Sequence, residues 1–208
     1  MNNNIKKIIA NKVVLSFFIS SIIILIIYVT IYNKIVYYAN IINTTSISIN
    51  TRNKDIKYDI NTKRIISYPA YGDKYANLLI DSINLNLPIY HGDNMSILSI
   101  GVGHYAGSYF PGEGGTVVLA AHNTEGFFKR FEELKINDIV KIKSNYGEFT
   151  YNITDIKILN EKEMNASIIE DDKELLIMYT CYPINENIIG RRTKRYVVYA
   201  ELIGDNYE

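Results

Sequence analysis

The sequence predicts a mainly β fold: a closed or nearly closed β-barrel of seven to eight strands with short helices, preceded by one N-terminal transmembrane helix. From residue 68 onward, short apolar runs alternate with turn signals rich in Gly, Asn, Asp and Pro. Many short strands with little helix, within about 140 residues, are typical of such a barrel. Before them, 20 consecutive residues carry no charge. The uncharged segment and the region of short strands and turns divide the chain into an anchor and one folded domain.

The uncharged segment from Val13 to Tyr32 is predicted to cross a membrane as a helix. Its 20 residues would span about 30 Å, which is the thickness of the hydrocarbon core of a bilayer. A buried helix of a soluble domain usually has a polar face, and this segment has none. A cleavable signal peptide would have a shorter apolar region followed by a small-x-small site, whereas tyrosines follow here. An uncleaved single-pass anchor over residues 13–33 is therefore favoured over both alternatives.

Basic residues at the N-terminus set the predicted orientation of this anchor. Lys6, Lys7 and Lys12 precede the span with no acidic residue among them, and Lys34 only slightly weakens the asymmetry. The positive-inside rule then places residues 1–12 in the cytoplasm and the rest of the chain outside the cell membrane. The whole chain has 22 basic and 22 acidic residues, so no basic field indicates nucleic acid as a partner.

An extracytoplasmic stalk is predicted between the anchor and the folded domain, over residues 34–67. This segment alternates polar and apolar residues without a sustained period, which is typical of a linker. At Tyr68 the pattern changes to short strands and turns. Residues 68–208 are therefore predicted to form a single domain.

The elements of this domain follow from its apolar runs and the turns between them. Residues 126–134 place apolar side chains at i, i+1, i+4 and i+7, which indicates a short amphipathic helix, and a second short helix is predicted over 94–100. Residues 101–115 include six glycines and are predicted to be a loop, and 160–172 an acidic loop or short helix. The predicted strands cover residues 78–83, 85–90, 116–121, 139–142, 149–159, 175–181 and 195–203.

Cys181 lies near the end of one predicted strand. Residues 175–178 are apolar without a break, which suits a strand buried on both faces, and Pro183 ends the strand. A free cysteine is often only a small buried apolar residue. However, Cys181 is the only cysteine of the chain and is predicted to lie in an oxidising compartment without a disulfide partner. Such a cysteine either pairs between molecules or is a reactive thiol, and the second interpretation is favoured.

His122 and Arg195 are the two residues that could make such a thiol useful. His122 ends the 116–121 strand, and Arg195 begins the last strand. A cysteine nucleophile needs a lowered pKa or a nearby base, and a guanidinium offers donors to a developing oxyanion. Alone, a histidine in a strand is more often structural, and Arg195 in its basic cluster could be a solvated turn. Their weight comes from the combination with an unpaired cysteine.

Several motifs resemble the signature of sortases, the cysteine transpeptidases of Gram-positive surfaces. Residues 180–183 (Thr-Cys-Tyr-Pro) are followed, 14 residues after the cysteine, by 195–198 (Arg-Tyr-Val-Val). Residues 115–122, which end in His122, resemble the histidine block of the family. The segments 103–105 and 111–113 are similar to the stretch before that block, especially in class D. The resemblance covers roughly residues 68–203.

Two positions depart from the family pattern. Residues 177–181 read Ile-Met-Tyr-Thr-Cys, where the family usually has Thr-Leu-x-Thr-Cys. Ala121 stands where glycine is frequent. Neither change touches the three catalytic residue types, but both line the expected substrate groove, so sequence preference and subclass stay open.

The resemblance implies a membrane-anchored enzyme with residues 68–208 as its catalytic domain. Cys181 would cleave an LPxTG-like sorting signal of a surface protein between Thr and Gly, and would form a thioacyl intermediate. An amine of a cell-wall precursor, a lipid-linked peptidoglycan unit, would then receive the surface protein. His122 would act as general acid and base, and Arg195 would hold the substrate or stabilise the oxyanion. By alignment of the motifs, the substrate groove would also include Ala120, Tyr179 and Thr180.

No cofactor or metal is expected. One cysteine and scattered histidines make a closed zinc site implausible. A loop similar to 160–172 binds calcium in some class A sortases, but the acidic residues here match no defined calcium loop, so a solvated surface is favoured. His104, in the glycine-rich segment, is a weaker rival for the role of base, because loop residues are held less rigidly.

Two alternative functions remain open at this point. A cell-wall cysteine hydrolase would use water in place of the acceptor amine. A non-catalytic anchored β-domain would bind wall components, with Cys181 merely buried. An acceptor amine that changes the product would exclude the first alternative, and loss of function in Cys181→Ala would exclude the second.

Overall fold

The computed structural model describes residues 14–32, 55–59, 61–62, 64–164, 173–184 and 191–207. The predicted cytoplasmic tail, most of the predicted stalk, and the greater part of the acidic loop lie outside these residues. The chain divides into two compact units, Met1–Ser46 and Ile47–Glu208, and each is described by itself.

The described part of the first unit is a single helix, α1 (Val14–Tyr32). Its 19 residues give a length of about 28 Å at 1.5 Å per residue. Its hydroxyl groups bond within the helix: Ser20 and Ser21 donate to the Phe17 carbonyl, and Thr30 donates to the Ile26 carbonyl. Such internal bonds remove the cost of exposing hydroxyls to hydrocarbon. By length and composition, α1 can cross a membrane.

The described part of the second unit contains ten strands, two short α-helices and two 3₁₀-helices. The strands are β1 (Lys57–Asp59), β2 (Arg64–Ser67), β3 (Lys74–Ile80), β4 (Leu85–His91), β5 (Val102–His104), β6 (Val117–Ala120), β7 (Ile139–Ser144), β8 (Gly147–Asn160), β9 (Leu175–Tyr182) and β10 (Lys194–Tyr207). The α-helices are α2 (Met95–Leu98) and α3 (Glu161–Met164), and the 3₁₀-helices are Asp81–Ile83 and Phe128–Glu133.

Strands β3 to β10 close into a barrel, which confirms the predicted fold class. The order around the barrel is β10-β8-β7-β3-β4-β5-β6-β9, and β9 pairs with β10 to complete it. The β4–β5 and β6–β9 pairs are parallel, and the other neighbours are antiparallel. The interior is filled by large apolar side chains, of which the largest fully buried ones are Tyr151, Phe128, Phe131 and Phe149.

The strands that lead to the candidate site are buried as their composition predicts. All four residues of β6 are buried, and Leu176, Ile177 and Met178 of β9 are buried in succession. Continuous burial is typical of parallel strands that are covered on both faces. Both strands are therefore rigid supports for the residues that follow them.

Some elements differ from the sequence expectation. Residues 102–104, predicted to be loop, form β5, because this short segment pairs with both β4 and β6. The helix predicted over 126–134 is a 3₁₀-helix. The helix predicted over 94–100 is limited to α2, and the Asn94 side chain caps it by accepting from the Ile97 N–H. The last strand runs on to Tyr207, because its ladder with β8 continues past two irregularities.

Part of the predicted stalk also packs with the barrel unit. Within residues 55–67, β1 and β2 form a two-stranded antiparallel sheet. Ile56 and Ile65 are buried in the main apolar core. The Asn145 side chain accepts from the Ile56 N–H at 3.0 Å and donates to the Ile56 carbonyl at 2.9 Å. Sequence pattern missed this hairpin, because its strands are only three and four residues long.

Candidate active site

Cys181 and Arg195 lie opposite each other on neighbouring strands. The antiparallel register of β9 and β10 pairs Cys181 with Arg195, and Thr180 with Tyr196. Side chains directly opposite each other in an antiparallel pair lie on the same face of the sheet, with Cβ atoms about 4.5–5.5 Å apart. The ladder therefore brings the predicted nucleophile and the predicted oxyanion-binding side chain to one face.

Strand β6 brings His122 to the same edge of the barrel. β6 and β9 run parallel, and their ladder ends with Ala120 opposite Tyr179. His122 lies two residues after Ala120, and Cys181 lies two residues after Tyr179. Parallel strands end at a common edge, so this register places the predicted base beside the predicted nucleophile.

Two further contacts hold these chain segments together on either side of the candidate catalytic residues. Before them, the Thr180 hydroxyl donates to the Ala121 carbonyl at 2.8 Å. After them, the Asn123 side-chain amide donates to the Pro183 carbonyl at 3.2 Å. The first bond is buried, where a hydrogen bond is worth most. Hydrogen bonds thus join the His122 segment to the Cys181 segment both before and after these two residues.

His122 is partly buried, and this burial lowers the pKa of its imidazole below the usual value. The imidazole ring packs edge-on against Phe127, with centroids 6.2 Å apart. The His122 carbonyl accepts from the Phe128 N–H at 2.9 Å, which ties the residue to the 3₁₀-helix. A lowered pKa favours the neutral imidazole at neutral pH, and this form can accept a proton from a thiol.

Arg195 provides a fixed positive charge at the same edge. Its side chain is only 15% exposed. One terminal nitrogen, Nη1, donates to the carbonyls of Arg192 and Lys194 at 2.9 and 3.0 Å. The other, Nη2, lies 3.4 Å from the Glu161 carboxylate. A guanidinium stays charged in such surroundings, so the site has a permanent cation.

The three predicted groove residues differ in exposure. Ala120 and Thr180 are buried, and Thr180 at 1% exposure uses its hydroxyl to tie β9 to the β6 segment. Tyr179 is partly exposed; burial raises the pKa of its phenol, and the nearby charge of Asp93 raises it further, while Arg195 opposes this shift. Of the three, Tyr179 therefore presents the most side chain to a ligand.

The buried state of His104 argues against the rival role of base. This residue is 0% exposed. Its Nδ1 lies 3.1 Å from the Tyr75 hydroxyl, and its Nε2 lies 2.9 Å from the Ser108 hydroxyl and 3.1 Å from the Tyr109 carbonyl. Burial lowers the pKa of His104 to about 3. With both ring nitrogens engaged inside the fold, His104 is a structural residue.

Among the described residues, no group of three or more His, Cys, Asp or Glu side chains comes together in a way that could hold a metal ion. The expectation of a solvated acidic surface concerns residues 160–172, most of which lie outside the described part.

Sequence reasoning missed one residue and one role in this geometry. Glu161, whose carboxylate reaches Arg195, was not predicted, and Thr180 was predicted as a groove residue but not as the hydroxyl that ties two strands. No motif or spacing marks either role, because each depends on a partner that is distant in the chain. Only the β6–β9 and β8–β10 pairings could have indicated them.

Comparison with known proteins identifies the family of this arrangement. A family model described as Sortase domain matches residues 78–203. The chain is 38% identical over 135 residues to Sortase D of Bacillus subtilis (strain 168), a match that covers 65% of this chain and 67% of that protein.

Solved structures agree. A Clostridium perfringens Sortase D5 transpeptidase superposes with a TM-score of 0.58 at 26% identity, over 66% of this chain and 83% of that chain. Sortase C from Clostridium perfringens SM101 gives a TM-score of 0.56 at 33% identity, over 64% of this chain and 72% of that one. By sequence, family model and fold, this chain belongs to the sortase family and is a cysteine transpeptidase that resembles class D members.

Proposed function

We propose that this sortase cleaves an LPxTG-like sorting signal between Thr and Gly and transfers the surface protein to the amine of a cell-wall precursor. The observation that carries the proposal is the placement of Cys181, His122 and Arg195 at one barrel edge by the β6–β9 and β9–β10 registers. Sortases in general act on surface proteins with sorting signals and on cell-wall precursors. The LPxTG-like signal and the lipid-linked peptidoglycan amine are the proposed specific partners.

In the first half-reaction, the Cys181 thiol passes its proton to His122, and the thiolate attacks the threonine carbonyl carbon. The carbonyl oxygen becomes an oxyanion, and the Arg195 guanidinium stabilises it. When the oxyanion collapses, the C–N bond to glycine breaks, and His122 returns the same proton to the leaving amine. A thioester between Cys181 and the threonine remains.

In the second half-reaction, the acceptor amine attacks the thioester carbonyl. His122 takes the proton of this amine as the new C–N bond forms, and it returns the proton to the Cys181 sulfur as the C–S bond breaks. The lowered pKa of His122 supports this cycle, because a neutral imidazole is the form that accepts a proton. Tyr179, with Ala120 and Thr180 behind it, is the proposed wall of the substrate groove.

The proposed location is the cell membrane, with the N-terminus in the cytoplasm and the catalytic domain outside. Helix α1 supports this location by its length and composition, and the lysines before it support the orientation. The proposed organisation is a tail over 1–12, an anchor over 13–33, a stalk over 34–67 and a catalytic domain over 68–208. The β1–β2 hairpin packs with the catalytic unit, so a soluble enzyme should begin before residue 55.

The test uses the full chain in detergent micelles and a panel of fluorogenic LPxTG-type peptides. We expect cleavage between Thr and Gly by the parent, loss of cleavage in Cys181→Ala, and a new amide product when an amine is added, identified by mass spectrometry. A hydrolysed product alone, unchanged by any amine, would point to a cell-wall hydrolase. Cleavage that persists in Cys181→Ala would overturn the proposal.

A further inference from the structure

We propose that Glu161 is a positioning residue for Arg195, the residue that pairs with Cys181: its carboxylate holds the Arg195 guanidinium in place and is itself held by Arg191. This inference rests on the proposed role of Arg195 in catalysis. The three residues Glu161, Arg191 and Arg195 are called the arginine–glutamate cluster below.

The backbone fixes the starting point of the Glu161 side chain. Asn160, the last residue of β8, pairs with Lys194, the first residue of β10. One step further, the Glu161 N–H donates to the Thr193 carbonyl at 2.8 Å. The β8–β10 ladder thus delivers Glu161 to the point where β10 begins, close to Arg195 in space although distant in sequence.

The Glu161 carboxylate lies between two guanidinium groups. Arg191 Nη2 is 2.8 Å from each of its oxygens, and Arg195 Nη2 is 3.4 Å from Oε1. The side chains of Arg191, Glu161 and Arg195 are 76%, 35% and 15% exposed. The cluster therefore runs from solvent toward the interior, and Arg195 is its most shielded member.

Arg195 is held at both ends of its guanidinium. Nη1 donates to two backbone carbonyls, those of Arg192 and Lys194, and Nη2 faces the Glu161 carboxylate. The two bonds from Nη1 anchor one end of the planar guanidinium, and the ion pair with Glu161 restrains the other end. Glu161 thus adds the contact that keeps Nη2 in place.

Orientation is the property that catalysis would need from Arg195. Its backbone position is set by pairing with Cys181, but donors stabilise an oxyanion only when they point to where its charge develops. A displacement of about 1 Å can cost a factor of about 100 in rate. Loss of the Glu161 carboxylate should therefore slow the chemical step more than it weakens peptide binding.

The cluster also borders an open cavity of about 600 Å³, lined by Asn160, Glu161, Lys162, Glu163, Arg191 and Thr193. Solvent ions can reach the Arg191 contact through this cavity, so that contact is screened. The contact to Arg195 is better protected. Removing Arg191 should therefore have a smaller effect than removing Glu161.

The experiment measures kcat and KM of the full chain in micelles on a cleaved LPxTG-type peptide. We expect Glu161→Gln to lower kcat roughly tenfold with KM changed less than about twofold, and Arg191→Gln to lower kcat by about twofold. The matched control is Glu163→Gln, because the Glu163 carboxylate accepts from the Asn160 N–H instead of from an arginine. It should retain the parent rates.

A double-mutant cycle tests whether Glu161 acts through Arg195. In an Arg195→Lys background, whose ammonium cannot take the same forked contacts, Glu161→Gln should lower kcat by less than about twofold. An equal, multiplicative loss in both backgrounds would overturn the proposal, as would a parent-like kcat in Glu161→Gln.

A measurement that does not depend on turnover separates this proposal from the catalytic one. In a ¹H–¹⁵N spectrum, the Arg195 Nη2–H protons of the parent should exchange slowly with solvent, and Glu161→Gln should accelerate that exchange while Glu163→Gln should not. If the parent lacks Cys181-dependent cleavage, the proposed function fails while this spectrum still decides whether Glu161 holds Arg195. Unchanged exchange in Glu161→Gln would refute the positioning role.

Discussion

The functional groups at the two ends of strand β9 differ in their exposure to solvent and in their hydrogen bonding. At its start, Glu174 is 8% exposed, and its carboxylate accepts hydrogen bonds from the N–H groups of Gly112 and Gly114 and from the Tyr151 hydroxyl. At its other end, Cys181 is partly exposed at the edge where His122 emerges. One end engages its carboxylate in buried hydrogen bonds, and the other carries the candidate nucleophile, which stays partly exposed.

The backbone of the glycine-rich segment makes the buried end possible. Gly112 and Gly114 have φ values of +89° and +86°, which other residues rarely adopt. In this conformation both N–H groups point to the Glu174 carboxylate at 3.0–3.1 Å. Burial nevertheless raises the pKa of Glu174, although its hydrogen bonds oppose this shift. The segment thus serves the stability of the barrel, while the candidate catalytic residues lie at the opposite end of β9.

The contrast between the two ends of β9 is tested most directly by replacing the histidine of the candidate site. His122→Gln should lower kcat/KM by about 10³-fold, because general acid–base catalysis contributes factors of this order, with little change in the melting temperature. The matched control is His91→Gln: the His91 Nδ1 lies 2.9 Å from the Pro69 carbonyl, and its loss should leave turnover near the parent value. More than a tenth of the parent kcat/KM in His122→Gln would contradict the assigned base.

His104 should instead control stability, and it should do so through pH. Its pKa of about 3 in the folded protein lies below the ordinary value of about 6.5, so the unfolded chain binds the proton first. The stability that neutral His104 contributes is fully present above pH 6.5 and is lost as the pH falls toward 3, by roughly 4 kcal/mol in total. Denaturant unfolding of the parent over this range should show the slope, and His104→Gln should reduce it.

His91→Gln is not neutral in this titration, because the nearby charge of His91 adds to burial in lowering the pKa of His104; this variant should reduce the slope slightly, and by less than His104→Gln does. NMR titration of the His104 ring in the parent provides a second measurement that needs no variant. A ring that becomes protonated near pH 6.5 would show that His104 is not enclosed as the structure has it.

Glu174 allows the buried end to be tested without changing a histidine. Glu174→Ala would leave two backbone N–H groups and the Tyr151 hydroxyl without their acceptor, which should lower the free energy of unfolding by about 3 kcal/mol. Glu174→Gln keeps an acceptor oxygen and should lose less. Denaturant unfolding measures both.

Glu201→Ala is the control, since Glu201 makes an exposed ion pair with Lys173 at 2.7 Å, and a change below about 1 kcal/mol is expected. Equal losses in Glu174→Ala and Glu201→Ala would contradict the buried role.

The sequence predicted the barrel and the candidate catalytic residues because both depend on local signals. Apolar runs and turn residues mark the barrel strands, and Cys181, His122 and Arg195 stand at strand termini within recognisable motifs. The expectation of β9 as a strand buried in its apolar half is also confirmed. Local pattern was sufficient for the barrel strands, and the catalytic roles of the three residues stay predictions.

Local pattern failed where a role depends on a distant partner. Strand β5 is three residues long, and only its pairing with β4 and β6 makes it a strand. Glu174 and Glu161 look like ordinary acidic residues in sequence, yet Glu174 accepts a buried hydrogen bond from Tyr151 and Glu161 contacts Arg195. Such roles come from tertiary contacts, which neither composition nor spacing encodes.

Thr180 connects the two ends of the comparison, because its hydroxyl ties β9 to the segment that carries His122. Thr180→Val keeps the shape of the side chain but removes the donor to the Ala121 carbonyl, which should cost about 1 kcal/mol of stability and lower kcat by a few-fold through a looser β6–β9 edge. Thr180→Ser keeps the hydroxyl and should restore most of both. The matched control is Thr154→Val, whose hydroxyl makes an exposed 3.5 Å contact with the Tyr199 carbonyl. If Thr180→Val loses stability but keeps the parent kcat, the Thr180–Ala121 hydrogen bond supports only the barrel. Thr180 would then belong with the buried, structural part of β9, although it directly precedes Cys181.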